Sequence, residues 1–380
     1  MSTIVAKISA ELRGDRSIWA VLAILAVFSL LVVYSSTGTL AYRERGGNTE
    51  AYLVKHLMIV SGGIFLTYIC HQLHYMVYHR AAPVLFLISI PLLFFTLFFG
   101  SNINEARRWL TVPFVGITFQ TSDFAKIALI TQVARAISSK QDYIKDFRSA
   151  FVPIIVPVLI VCGLIAPADL STAVILFCTC LMMMFVGRVD VRFILLLLLL
   201  GFVVFSMLII TAKFFPDSIR VDTWVARVQD FMLNPDGGYQ VQQAKIAIAN
   251  GSWFGTGPGN SIQRNYLPSP YADFIFSILV EEYGVIGGAI IIAMYVILFF
   301  RVTRLVTKSS KAFGAIVALG LGISLVFQAF INMAVSVHLV PVAGVTLPLV
   351  SMGGTSILFT CISFGIILSV SKYVELTGEG

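Results

Sequence analysis

Charge is scarce in this sequence. Asp, Glu, Lys and Arg together make up 12% of its 380 residues, while 58% are hydrophobic. Mean hydropathy is +0.92. A soluble globule of this length has no use for so much apolar surface, which leaves a polytopic membrane protein. The net charge of +7 is spread over the loops instead of being gathered in one patch, so no nucleic-acid binder is indicated. Cysteine is also sparse. Cys70, Cys162, Cys178, Cys180 and Cys361 all lie within apolar runs, with no CxxC pair and no His/Cys metal spacing. They read as small buried hydrophobes. No internal repeat, low-complexity tract or cleavable leader is apparent. The first apolar run, Ile18 to Tyr34, is long enough to span and is followed by more spans. The glycines Gly255, Gly257 and Gly259 match neither GxGxxG nor a P-loop; they mark only tight turning or close approach of backbone.

What is present is a series of runs long enough to cross a bilayer, each about 17–25 residues. Ten are expected, near 18–36, 54–71, 81–100, 120–138, 149–167, 170–187, 191–214, 272–300, 312–336 and 346–371. The fourth is the most polar, with Asp123, Lys126 and Arg135. Pro167 ends the fifth and opens a tight hairpin through Asp169 into the sixth. The expected fold is therefore all-α, about ten transmembrane helices in a single domain over 1–380. Segments 1–17 and 372–380 would be cytoplasmic by the distribution of Lys and Arg. Residues 215–271 would form one long extracytoplasmic loop. Trp224, Phe231, Tyr239, Trp253, Phe254 and Tyr266 argue that this loop is ordered. Within it, Val241, Ala244 and Ile248 recur at helical spacing.

On that topology the polar residues favour one face. Arg107, Arg108 and Trp109 precede the fourth span, Asp123 and Lys126 sit at i, i+3, Asp169 lies in the hairpin, and Asp273 opens the eighth span. His338 and the run Ser351-Met352-Gly353-Gly354 follow the ninth. A carboxylate at the mouth of a membrane helix costs roughly 2.5–3.5 kcal/mol on insertion scales unless solvated or paired, which makes Asp273 a functional candidate. The group fits an outward polar cavity in which cations hold phosphate and a carboxylate takes a proton. The structural alternatives stand beside that reading. Asp123 and Lys126 fit a mutually neutralising pair, Asp169 a helix cap, Arg107 to Trp109 an interfacial anchor, and His338 an interfacial histidine. Glu281 and Glu282, about 12 Å along the helix from Asp273, suit internal pairing better than a share in its chemistry.

The longest irregular stretch, Gly251 to Gly284, carries a pattern that is similar to a known family. Tyr239-Gln240 with Gln243, Gly255 through Gln263, Tyr266-Leu267-Pro268, Asp273-Phe274-Ile275-Phe276 and Glu281-Glu282 with Gly284 resemble the loop motif of the SEDS family of bacterial cell-wall glycosyltransferases, the FtsW/RodA group. Two further motifs follow the family's order. One is Arg108-Trp109 with Gln120, Ser122, Asp123 and Lys126; the other is Asn332, Pro341, Gly344, Leu347-Pro348, Ser351 and Gly353 to Ser356. The stretch Gly257 to Gln263 is more FtsW-like than RodA-like. The family's Glu and His at 269 and 271 are Ser269 and Tyr271 here, so no catalytic role is implied for those positions.

The resemblance implies polymerisation of lipid II into glycan strands at the division septum by an inverting glycosyltransferase that releases polyprenyl diphosphate. The catalytic aspartate would be Asp273. Substrate would be held among Arg108, Asp123, Lys126, Asp169, Gln243, Lys245, Ser351, Gly353 and Gly354. Lys126, Arg108 or a divalent cation (Mg or Mn) would meet the leaving diphosphate's charge; no cofactor is certain. The implied partners are a class B penicillin-binding transpeptidase and other division proteins, in the bacterial cytoplasmic membrane. A lipid II flippase, a RodA-like elongation polymerase and a non-catalytic scaffold remain as alternatives. A carrier would place polar groups at mid-membrane in paired repeats, and no repeat is detectable.

Overall fold

The computed structural model describes residues 13–38, 40, 49–103, 106–111, 118–212 and 221–376. Its helices are α1 (Arg16–Ser36), α2 (Thr49–Gln72), α3 (Tyr75–Phe99), α4 (Thr121–Ser138), α5 (Val152–Ile165), α6 (Leu170–Val186), α7 (Val191–Ala212), α8 (Val221–Leu233), α9 (Tyr239–Gly251), α10 (Ile275–Lys308), α11 (Ala312–Ser336) and α12 (Thr355–Leu376). By length and composition, seven helical segments are apolar enough to cross a membrane, and Leu170–Val186 and Val191–Val203 are shorter apolar helices. Helix α4 is too polar for that measure. It is instead buried by its neighbours, Asp123 included.

The ten runs expected from the sequence all become helices. Several boundaries differ; α2, for one, starts at Thr49 rather than near 54. Helix α3 begins at Tyr75 because His74 caps it, accepting from the Met76 amide at 3.1 Å. Helix α10 runs on to Lys308. The last helix starts at Thr355 rather than near 346. Residues 341–350 are apolar because they are buried, not because they are helical: Val345, Leu347, Leu349 and Val350 pack in the core as irregular backbone. A small antiparallel sheet, not anticipated from the sequence, lies between α3 and α4. Its strands β1 (Ser101–Ile103), β2 (Ala106–Thr111) and β3 (Thr118–Gln120) pair in chain order, with Trp109 opposite Gln120.

Helix α11 is buried along most of its length, which its largely apolar sequence permits, its buried Gln328 and Asn332 being hydrogen-bonded. Helices α4, α6, α10 and α12 surround it. Small residues allow the closest crossings. A side chain at Gly63 in α2 would stand 2.7 Å from Cys361 Sγ in α12, and one at Gly365 would stand 2.5 Å from Cys70 Cβ. The cysteines there are free and act as the small packing residues the sequence suggested.

Helix α10 is broken at Gly284, where φ is 71° and ψ −177°. The 24 residues after the break cover about 36 Å, enough to cross the hydrocarbon alone. Asn332 lies 20 residues into α11, about 30 Å from its start. An unbroken α10 would overshoot that level, yet Asn332 Nδ2 donates to the Asp273 carbonyl at 2.8 Å. The break therefore turns 275–283 back across the bundle. Its freed backbone groups are taken by the glycine-rich loop. The Thr256 amide donates to Glu281 O at 2.9 Å, Gly257 to Glu282 O at 3.1 Å, and Val285 to Ser252 O at 2.9 Å.

Candidate active site

The turn of α10 presents Asp273 at the junction of three segments. Its backbone is fixed first. Asn332 Nδ2 bridges Asp273 O and Val345 O, the latter at 2.7 Å. Ser351 Oγ donates to Ala272 O at 2.7 Å and accepts from the Leu347 amide at 2.8 Å. The Met352 amide donates to Tyr271 O at 2.9 Å. The loop 341–352 is thus strapped to 271–273. Ser351, expected to bind substrate, has its proton committed to this strap.

The Asp273 carboxylate is half-buried. A side chain at Gly344 would stand 3.8 Å from Asp273 Oδ2 and 3.9 Å from Arg227 Nη1, so the two groups flank a position that glycine keeps open. Those are ordinary contact distances, so it is the φ of 62° at Gly344, and not crowding, that favours glycine there. Arg227 donates to Val342 O at 3.2 Å, which holds its guanidinium beside the loop. A groove of about 260 Å³ runs from Arg227 between Leu170, Val174, Trp224, Ile331 and Pro341. It is apolar apart from Arg227 and Ser171.

Arg227 was missed in the sequence, where 215–271 was read as a loop. The signal was present in Trp224, Val228 and Phe231, spaced for a helix face. Helix α9, by contrast, was legible. It buries Val241, Ala244 and Ala247 and packs against α10 and α11. Its Gln243 and Lys245 are half-buried.

The other expected site residues fall into neighbouring clusters. Lys126 Nζ lies 2.8 Å from Asp123 Oδ1 and donates to Gln328 Oε1 at 3.3 Å. Gln328 in turn donates to Thr346 O at 3.1 Å. The pair borders a cavity of about 20 Å³ with Ser324, Ser356 and Thr360. Asp123 is 3% exposed, so the pair is internal to the bundle. Asp169 caps α6, accepting from the Thr172 amide at 3.1 Å and hydroxyl at 2.8 Å. It borders a second cavity with Thr96, Thr121 and Ser122. Gly353 and Gly354 lead into α12, where the Ser356 amide donates to Gly353 O at 3.0 Å. Arg108 lies in β2; its side chain is outside the described residues. His338 packs edge-on to Phe231, with ring centroids 5.1 Å apart.

Glu281 and Glu282 pair internally, as expected. Glu281 accepts from Ser261 Oγ and from the Ile262 and Gln263 amides at 3.2 and 3.3 Å. Glu282 accepts from Ser35 Oγ in α1. Among the described residues no group of three or more His, Cys, Asp or Glu side chains is placed to hold a metal ion.

The FtsW/RodA/SpoVE family model, described as a cell cycle protein, matches residues 15–376. A probable peptidoglycan glycosyltransferase FtsW of Hydrogenovibrio crunogenus is 34% identical over 359 residues, covering 92% of this chain and 89% of its own. The protein of the same name from Bacillus subtilis is 30% identical over 373 residues, covering 95% and 91%. Among solved structures, a chain from work on coordination of polymerization and crosslinking by a peptidoglycan synthase complex superposes with a TM-score of 0.74 at 23% identity, over 95% of this chain and 98% of that one. The rod shape determining protein RodA of Thermus thermophilus gives 0.67 at 21% identity, over 94% and 96%. At those identities the structures establish a shared fold.

Proposed function

The chain belongs to the FtsW/RodA/SpoVE family, and from that premise we propose that it is a peptidoglycan glycosyltransferase that polymerises lipid II. The observation that carries the site assignment is the placement of Asp273. Half-buried Asp273 borders the same glycine, Gly344, as Arg227, and Arg227 lines a mostly apolar groove. Sugar chemistry belongs at the polar end and the polyprenyl chain in the groove.

Asp273 accepts the proton of the attacking sugar hydroxyl. The hydroxyl oxygen bonds to the anomeric carbon as the bond from that carbon to the diphosphate oxygen breaks. The bonding pair leaves with the polyprenyl diphosphate, and configuration inverts. Arg227 offers a guanidinium where that charge develops. Lys126, engaged with Asp123 and Gln328, holds α4 to α11 and so supports the strap behind Asp273. The chain's polar face would be outside the cytoplasmic membrane, where lipid II sugars are polymerised. The FtsW naming of the relatives supports a septal role, and the synthase complex among the solved neighbours supports a transpeptidase partner.

The test is lipid II polymerisation by purified protein, alone and with a class B transpeptidase, comparing wild type with Asp273→Asn at matched folding. Polymer from wild type only is expected. Equal polymer from both removes Asp273 from the chemistry. No polymer from wild type with the partner present refutes the enzyme reading, and a lipid II translocation assay then addresses the carrier.

A further inference from the structure

At the end of the bundle opposite Asp273, both described chain ends meet the foot of α10. The Gly14 amide donates to Glu375 Oε2 at 2.7 Å, and the Asp15 amide to Ser371 Oγ at 2.8 Å. Asp15 then caps α1 through the Ser17 amide at 2.8 Å and lies 3.6 Å from Arg301. These contacts wall a cavity of about 300 Å³. Arg301, Arg304 and Lys308 follow one another on one face of α10, at i, i+3 and i+7, and Arg16 faces them from the start of α1; all four border the cavity.

The charges do not balance. Four cations border the space with two carboxylates, and both carboxylates already accept hydrogen bonds from the chain. Arg301 is met by Asp15. Arg16, Arg304 and Lys308 have no hydrogen bond or ion pair with a side chain among the described residues. Leu305 and Val374 line the same space, so its wall is apolar as well as cationic. An anion with an attached apolar part matches that lining better than a bare ion does. Lys and Arg at a membrane boundary attract phosphate-bearing lipids, and a planar guanidinium binds phosphate through paired hydrogen bonds.

We propose that this cavity binds a phosphate-bearing anion, the headgroup of an anionic phospholipid. Through Arg16 and the α10 cations it ties α1 and α10 together on the far side of the membrane from the chemistry. The site is separate from the groove beside Arg227 and independent of the reading of Asp273.

The test uses the full-length protein in neutral detergent, titrated with phosphatidylglycerol, with phosphatidylcholine and with inorganic diphosphate, reading bound lipid by native mass spectrometry. Wild type is expected to retain phosphatidylglycerol and not phosphatidylcholine. R304A/K308A should weaken that binding on the order of tenfold. The charge-keeping R304K/K308R should restore it. K145A/R148A removes two exposed charges from the same end and should leave it unchanged. Diphosphate that displaces the lipid at equal phosphate concentration assigns the site to soluble phosphate compounds; failure to displace it assigns the site to lipid. Equal weakening in both alanine pairs, or none in R304A/K308A, overturns the proposal.

Discussion

The turn at Gly284 is the feature on which the placement of Asp273 depends, and Gly284→Ala tests it. At φ 71° and ψ −177° only glycine is comfortable, and a side chain there carries strain of about 1–3 kcal/mol. Contact adds to it. A Cβ would stand 2.2 Å from the Trp253 carbonyl oxygen, 2.4 Å from its carbon and 2.6 Å from the Gly255 nitrogen. All three are backbone atoms and cannot swing aside, so the loop must retreat by about 1 Å to reach ordinary van der Waals distance. That stretches the Thr256, Gly257 and Val285 amide bonds across the break. If two of them are lost at about 1 kcal/mol each, the total is roughly 3–5 kcal/mol. Gly259→Ala is the control. It also has positive φ, 81°, but a side chain there meets nothing within 4 Å, which leaves backbone strain of about 1–2 kcal/mol. Unfolding in mixed micelles gives both values, and polymer yield below the melting range gives the effect on Asp273. A Gly284→Ala protein no less stable than Gly259→Ala, with full activity, would refute the claim that this break sets the site.

Asn332→Ala removes the donor to Asp273 O and Val345 O, and polymerisation should fall about 10–100-fold through misplacement of the base while the protein still binds substrate in a lipid II binding assay. Lys126→Met leaves the Asp123 carboxylate buried without its cation and should destabilise by about 3–5 kcal/mol; D123N/K126M should recover most of that in the same unfolding measurement, whereas a substrate-binding role would leave the double variant inactive though stable. Arg227→Ala should cost activity on the order of tenfold or more without lowering the melting temperature, and Arg227→Lys should restore part of it.

Most of the helices were readable because a membrane helix is predominantly apolar along its length, and that pattern survives any packing. Hydropathy reports burial, however, and not conformation. It therefore extended the last helix back through Leu347, Leu349 and Val350, which are buried in a strap. The same limit hid the turn in α10. Gly284 sits in an apolar run with Gly287 and Gly288, and nothing local separates the glycine at positive φ from the two that are helical. What sets it apart is a partner thirty residues earlier, Trp253 and Gly255, which occupies the space a side chain would need.

The carboxylates divide along a related line. Five acids, at 123, 169, 273, 281 and 282, lie in or near apolar helices, where a carboxylate must be paired or solvated. Their partners are different in kind. Asp123 meets a lysine, Asp169 its own helix start, Glu281 two loop amides and a hydroxyl, and Glu282 a serine of α1. Glu281 and Glu282 close contacts between segments of the bundle, while Asp123 and Asp169 are met within their own helices. Asp273 differs in that its backbone is what the bundle grips, through Asn332 and, one residue earlier, Ser351. The residue is half-buried, and its carboxylate borders Gly344 together with Arg227. That distinction depends on which atoms are held, and no spacing of residue types in the sequence encodes it.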